Sequence, residues 1–71
     1  MTDFQAAQLK PGDEVRVYID GPEDAEVQGA VGTVTLVTGC SLGIVAYVRL
    51  TDQAEAVIAF ASEMVLFRRG Q

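Results

Sequence analysis

The sequence predicts a mostly β fold: five short strands rolled into one small barrel, with a single short helical turn before the last strand. Three observations carry that expectation. Short runs dense in β-branched residues recur along the chain, turns containing glycine or proline separate them, and within several runs apolar side chains alternate with polar ones. A chain of 71 residues has room for only one hydrophobic core, so residues 1–71 are expected to form a single domain.

Thr2 precedes Gln5 at the spacing of a capping box, which predicts a turn of helix through Ala6 and Ala7, ended by Pro11 and Gly12. Residues 1–8 are expected to be an N-terminal arm. The turn Leu9-Lys10-Pro11-Gly12-Asp13 leads into Val15, Arg16, Val17, Tyr18 and Ile19, a first strand with one buried face. Asp20 to Gly29 is then an acidic, polar loop. From Ala30 to Thr38 the β-branched residues Val31, Thr33, Val34, Thr35, Val37 and Thr38 predict a second strand. Val34, Leu36 and Val37 cannot all face inward at period two, so a bulge or bend is expected near Gly32.

Gly39-Cys40-Ser41-Leu42-Gly43 turns the chain into a third strand, Ile44 to Leu50. Ile44, Ala46, Val48 and Leu50 lie on one face of it, and Val45, Tyr47 and Arg49 on the other. Thr51 to Glu55 is a connection of hairpin length, and Ala56 to Ala61 a fourth strand with Ile58 and Phe60 on one face, although its alanines also suit a helix. Ser62-Glu63-Met64 reads as one helical turn capped by Ser62, Val65 to Arg68 as the closing strand, and residues 69–71 as a tail. The expected shared interior is Val15, Val17, Ile19, Val48, Ile58 and Phe60.

Composition narrows the function. Ten acidic and five basic side chains leave a net charge of −5, which repels a phosphate backbone and argues against direct nucleic-acid binding. Histidine is missing, and with it the commonest proton shuttle near neutral pH and the commonest metal ligand. Asp20, Glu23, Asp24 and Glu26 lack the spacing of a helix-loop-helix calcium site. No catalytic, metal or cofactor constellation is recognisable, so a protein that is not an enzyme is expected. Cys40 is the only cysteine, so no disulfide can form within the chain, and no base is at hand to activate its thiol. A cytoplasmic, reducing setting fits that usage. The first residues lack the basic start and apolar run of a signal, and no stretch approaches the ~20 apolar residues of a membrane span.

Two sets of residues are candidates for contact with a partner. Arg16 and Tyr18 share one face of the first strand, and Tyr47 and Arg49 share one face of the third. If those faces adjoin, they form an arginine and tyrosine surface typical of protein interfaces; otherwise the rings simply cover the wall. Apolar residues make up 49% of the chain, more than so small an interior holds, which favours a protein partner or self-association. Asp20, Glu23, Asp24 and Glu26 are either a solvated loop or a docking surface for a basic partner. In the latter case they can mimic nucleic-acid phosphates toward a DNA- or RNA-handling protein.

The order of elements resembles the Src-homology-3-like barrels, and among them the KOW-type and related small accessory domains. The matching pieces are Pro11-Gly12-Asp13-Glu14-Val15-Arg16-Val17, the Gly32-Thr33-Val34 step, and a helical turn from Phe60 to Met64 before the last strand. The resemblance runs from about Leu9 to Phe67 and implies the barrel, which hosts many unrelated activities. Peptide-binding members use a tryptophan-containing groove, and this chain has no tryptophan. Nucleic-acid-binding KOW-type members carry basic loops where this chain is acidic. A plasmid-borne type of dihydrofolate reductase lines a tetramer's pore with Val-Gln-Ile-Tyr. Val57-Ile58-Ala59-Phe60 stands near that place without the amide and hydroxyl groups, which disfavours a symmetric-pore enzyme. The expectation is a non-enzymatic interaction or assembly module, as a small subunit or homo-oligomer.

Overall fold

The computed structural model describes residues 1–21, 26–51, 53 and 55–70. The chain opens with one turn of helix, α1 (Asp3–Ala6), closed by the expected capping box: the Gln5 amide donates to Thr2 Oγ1 at 3.2 Å and the Thr2 amide to Gln5 Oε1 at 3.0 Å. Five strands follow: β1 (Glu14–Ile19), β2 (Val27–Cys40), β3 (Gly43–Leu50), β4 (Ala56–Phe60) and β5 (Met64–Arg68). A 3₁₀ turn, Ala61–Glu63, separates β4 from β5. The fold is therefore mostly β and five-stranded, with a short helical turn before the last strand. That turn starts one residue earlier than Ser62, and no side chain of its first flanking residue caps it.

All pairings are antiparallel, in the order β4-β3-β2-β1-β5. No ladder joins β4 to β5, so the sheet coils without closing into the expected barrel. The connection between those two strands supplies the reason. A 3₁₀ turn advances the chain by about 2 Å per residue rather than reversing it. Its flanking residues, Phe60 and Met64, are both extended, so β5 is carried past β4 and pairs with β1 instead.

β2 begins at Val27, inside the stretch expected to be loop, and is long enough to pair with β1 along one half and with β3 along the other. Two bulges bend it. Gly29 is the extra residue opposite Val17 and Tyr18, and its φ of +77° favours glycine; Thr35 is the extra residue opposite Tyr47 and Val48. The Thr35 bulge resolves the broken alternation: Val34 and Val37 point inward and Leu36 outward. Gly32 lies between the bulges and is needed for another reason. A Cβ there would sit 2.5 Å from Val48 Cγ1 and 2.8 Å from the Arg49 carbonyl oxygen, so β2 and β3 cross too closely for any side chain.

The interior consists of small and medium side chains: Val15 and Val17 from β1, Val34 from β2, Ala46, Val48 and Leu50 from β3, Ala59 from β4, and Ala6, Leu9, Ala61 and Met64 around them. Val15, Val17 and Val48 are buried as expected, and Ile19 is partly buried. Ile58 and Phe60 are not interior; they are 52% and 36% exposed. Residues directly opposite on neighbouring strands share a face, and Ala59 pairs with buried Ala46, so Val57 and Ala59 turn inward and Ile58 outward. Small side chains suit this inner face, because α1 and the 3₁₀ turn both pack against β3.

Both ends of the described chain are tied to the sheet. The Met1 amino group donates to the carbonyls of Ala61 (3.0 Å) and Met64 (2.8 Å). Asp13 is buried, its carboxylate accepting from the Lys10 amide at 2.9 Å and the Gly70 amide at 2.7 Å, and this clamps the turn before β1 to the residues after β5. The Lys10 and Gly70 amides hold the carboxyl below the usual carboxylate range, helped by the charges of Arg69 and Lys10 and opposed by burial.

Candidate interaction surface

The side chains that turn away from the interior form rows across the outer face of the sheet. One row crosses every strand: Arg68, Glu14, Thr33, Arg49 and Ala56. Beside it on one side lie Val65, Arg16 and Val31, and beyond them Tyr18 and Gln28. On the other side run Leu36, Tyr47 and Ile58, followed by Thr38, Val45 and Phe60.

All four residues expected to form an arginine and tyrosine surface are on this face, but they do not form one cluster. Strand β2 separates β1 from β3, which sets their backbones about 10 Å apart. Tyr18 is level with Gln28 and Tyr47 with Leu36, eight residues along β2, a contour of about 26 Å. Arg16 belongs to the first end: its guanidinium lies 4.8 Å from the Phe67 ring centroid and donates to the Gly29 carbonyl at 3.0 Å. Tyr18 covers Gly29 in the same corner. The exposed ion pair of Arg68 and Glu14, at 3.1 Å, stabilises this edge only slightly.

Tyr47 and Arg49 belong to the second end. Tyr47 lies between Leu36 and Ile58, which are 51% and 52% exposed, and Phe60 flanks the row on β4. Arg49 adjoins Ala56 and, among the described residues, has no carboxylate within ion-pairing distance. The result is a contiguous apolar strip with an arginine beside it, which leads to the open edge of the sheet. Single exposed apolar residues are ordinary, whereas a contiguous group is a candidate contact surface. The sequence places Ile58 and Phe60 in the interior and gives Leu36 no part in a contact surface, whereas all three are exposed. The available signal was alanine or valine at every alternate position from Val57 to Ala61, the pattern of a tightly packed inner face.

Of the acidic positions, Asp20 and Glu26 are exposed, and Glu26 accepts a hydrogen bond from Gln28 Nε2; Glu23 and Asp24 lie outside the described residues. No group of three or more potential metal ligands occurs among the described residues. Cys40 is exposed where β2 turns into β3. A groove of about 360 Å³ lies between α1 and the end of β5, lined by Phe4, Gln5, Gln8, Leu9, Leu66 and Arg69, with Met1 at its side. No helix among the described residues is long and apolar enough to cross a membrane.

No protein-family model matches the chain, and no match was found among curated proteins or solved structures.

Proposed function

We propose that the chain is a non-enzymatic protein–protein interaction or assembly module of the Src-homology-3-like kind, working in the cytoplasm, with the outer face of β3 and β4 as its contact surface. The observation that carries this reading is the continuous row Leu36, Tyr47 and Ile58, flanked by Phe60 and by Arg49. Aromatic and arginine side chains in such surroundings contribute most of the energy in protein interfaces. Burying the half-exposed Leu36 and Ile58 side chains would each stabilise a complex by about 1 kcal/mol, from the usual value for burying an aliphatic side chain. The corner of Arg16, Tyr18, Val65 and Phe67 is a separate patch of the same chemistry.

The test compares the wild type with Tyr47→Asp, which places a charge in the middle of the row. The sedimentation of the purified protein and its elution size in a host-cell extract are both measured. The expected result is a species larger than a monomer in at least one setting, lost in the variant. A wild-type chain that remains a monomer in both, or a Tyr47→Asp chain that behaves identically, refutes the reading.

A further inference from the structure

Strand β4 is an outer edge of the sheet, and its sequence, Ala56-Val57-Ile58-Ala59-Phe60, contains no charge, proline or glycine. Folded proteins commonly blunt exposed edges with such residues or with bulges, because an unblunted edge is a template for another strand. The orientation of its backbone groups follows from one hydrogen bond. Phe60 N–H donates to Glu63 Oε1 at 2.9 Å rather than to β3. Alternate residues of a strand direct their amides to the same side, so Ile58 and Ala56 also turn their N–H and C=O groups away from β3, toward the open edge.

The geometry points to a second copy of this chain as the occupant of that edge, paired antiparallel through β4 about a two-fold axis at Ile58; this deepens the interaction-module reading and rests on it. A two-fold axis at Ile58 is the one antiparallel register that overlaps all five residues of both strands. Ile58 then exchanges N–H to C=O bonds with its symmetry mate. Ala56 N–H reaches the Phe60 carbonyl of the other copy, and the Ala56 carbonyl takes the Phe60 N–H in turn, displacing the exposed Glu63 side chain from it. On the outer face the strip Leu36, Tyr47 and Ile58 continues directly into the same strip of the second copy, so the apolar row of each molecule is extended rather than left at an edge.

Size and charge complement each other at the ends of the seam. The register sets the small Ala56 opposite the large Phe60 ring, and Arg49, which adjoins Ala56 on the same face, is placed for its guanidinium to reach that ring. The Glu63 carboxylate, displaced from the Phe60 amide, is left at the same end of the seam as that guanidinium. Arg49 thereby gains across the axis an acidic neighbour that it does not have among the described residues of its own chain. Five residues span about 17 Å, a short seam, which places the contact at the small, concentration-dependent end of protein interfaces.

Disulfide trapping tests the register directly. In a Cys40→Ser background, Ile58→Cys and Ala56→Cys proteins are oxidised under matched conditions across a range of concentrations. Facing residues of a bonded antiparallel pair have Cα atoms about 5.5 Å apart, within disulfide range. The two Ala56 positions are offset by four residues, about 14 Å, and are out of range. The Ile58→Cys chain is expected to cross-link at least tenfold faster than the Ala56→Cys chain, and a mixture of Ala56→Cys with Phe60→Cys to form the mixed dimer. Equal rates, or a faster Ala56→Cys reaction, overturn the proposal. Sedimentation of the untagged wild type gives the second measurement: a monomer–dimer equilibrium that Ile58→Lys abolishes and Arg49→Glu weakens. A wild type that is monomeric alone but enlarged in host extract overturns the second-copy proposal and leaves the interaction-module reading standing. A monomer in both settings overturns both.

Discussion

Asp13 connects residues 57 positions apart, and its loss should be felt throughout the domain. Its buried carboxylate accepts from the Lys10 amide at 2.9 Å and from the Gly70 amide at 2.7 Å. Hydrogen bonds to a charged group contribute about 1.5–3 kcal/mol each. Asp13→Asn keeps one acceptor oxygen, but its amide nitrogen would face an N–H donor, so one bond is lost and the expected destabilisation is about 2 kcal/mol. A domain of this length has roughly 4–11 kcal/mol of stability in total, so the loss is a large share of it. The corresponding fall in melting temperature is about 8–16 °C.

The pH dependence has a definite sign. The Lys10 and Gly70 amides lower the folded-state pKa of Asp13 below that of the unfolded chain, so the unfolded state binds the proton more readily. The stabilisation is complete above the unfolded value of about 4 and is lost as pH falls through the lower folded value. Urea unfolding followed by circular dichroism at pH 7, and at steps down to about pH 2, measures it. The gap between wild type and Asp13→Asn should be widest near neutrality and shrink below pH 4. A gap under about 0.5 kcal/mol at pH 7, or one unchanged at pH 2, refutes the account. Gly70→Ala probes the other end of the same clamp, because a Cβ there would sit 2.4 Å from the Gly12 carbonyl and lift the terminal residues away. Amide exchange of Lys10 should then accelerate, with a smaller loss of global stability than Asp13→Asn produces.

Gly32→Ala should destabilise the domain by about 1–3 kcal/mol, as overpacking does, because the new methyl meets Val48 Cγ1 and the Arg49 carbonyl; thermal melts check it, and an unchanged melting temperature contradicts the close crossing of β2 and β3. The facing of β4 predicts a ranking of stabilities from denaturant midpoints. Ile58→Thr should stay within about 0.5 kcal/mol of wild type at concentrations where the chain is monomeric, whereas Ala59→Leu should lose more than about 1 kcal/mol. The reverse ranking would place Ile58 back in the interior.

The positions of the strands were legible in the sequence, because strand propensity and alternation are local properties of neighbouring residues. Val15, Val17 and Tyr18 in β1, and Ala46, Val48 and Leu50 in β3, show both the strand and its faces. The capping box of Thr2 and Gln5 was equally local. Alternation in β4, by contrast, separates Ile58 and Phe60 from Val57 and Ala59 without saying which pair is inside. Residue size favoured Ile58 and Phe60, but Ala59 pairs with buried Ala46 and is itself buried, which turns Ile58 outward.

The proposed contact surface followed the same division. Tyr47 and Arg49 could be identified from their own strand, while their neighbours Leu36 and Ile58 depended on the Thr35 bulge and on the facing of β4. Asp13 read only as a turn residue, since its partner Gly70 is close in space but not in the chain. Local residue pattern sets roughly where the strands form and, outside the bulged β2, which residues share a face. Which face is buried, where β2 starts and bends, and that β4 does not pair with β5 follow from packing between distant segments. Those outcomes depend on register between segments far apart in the chain, where a shift of one residue exchanges inside for outside.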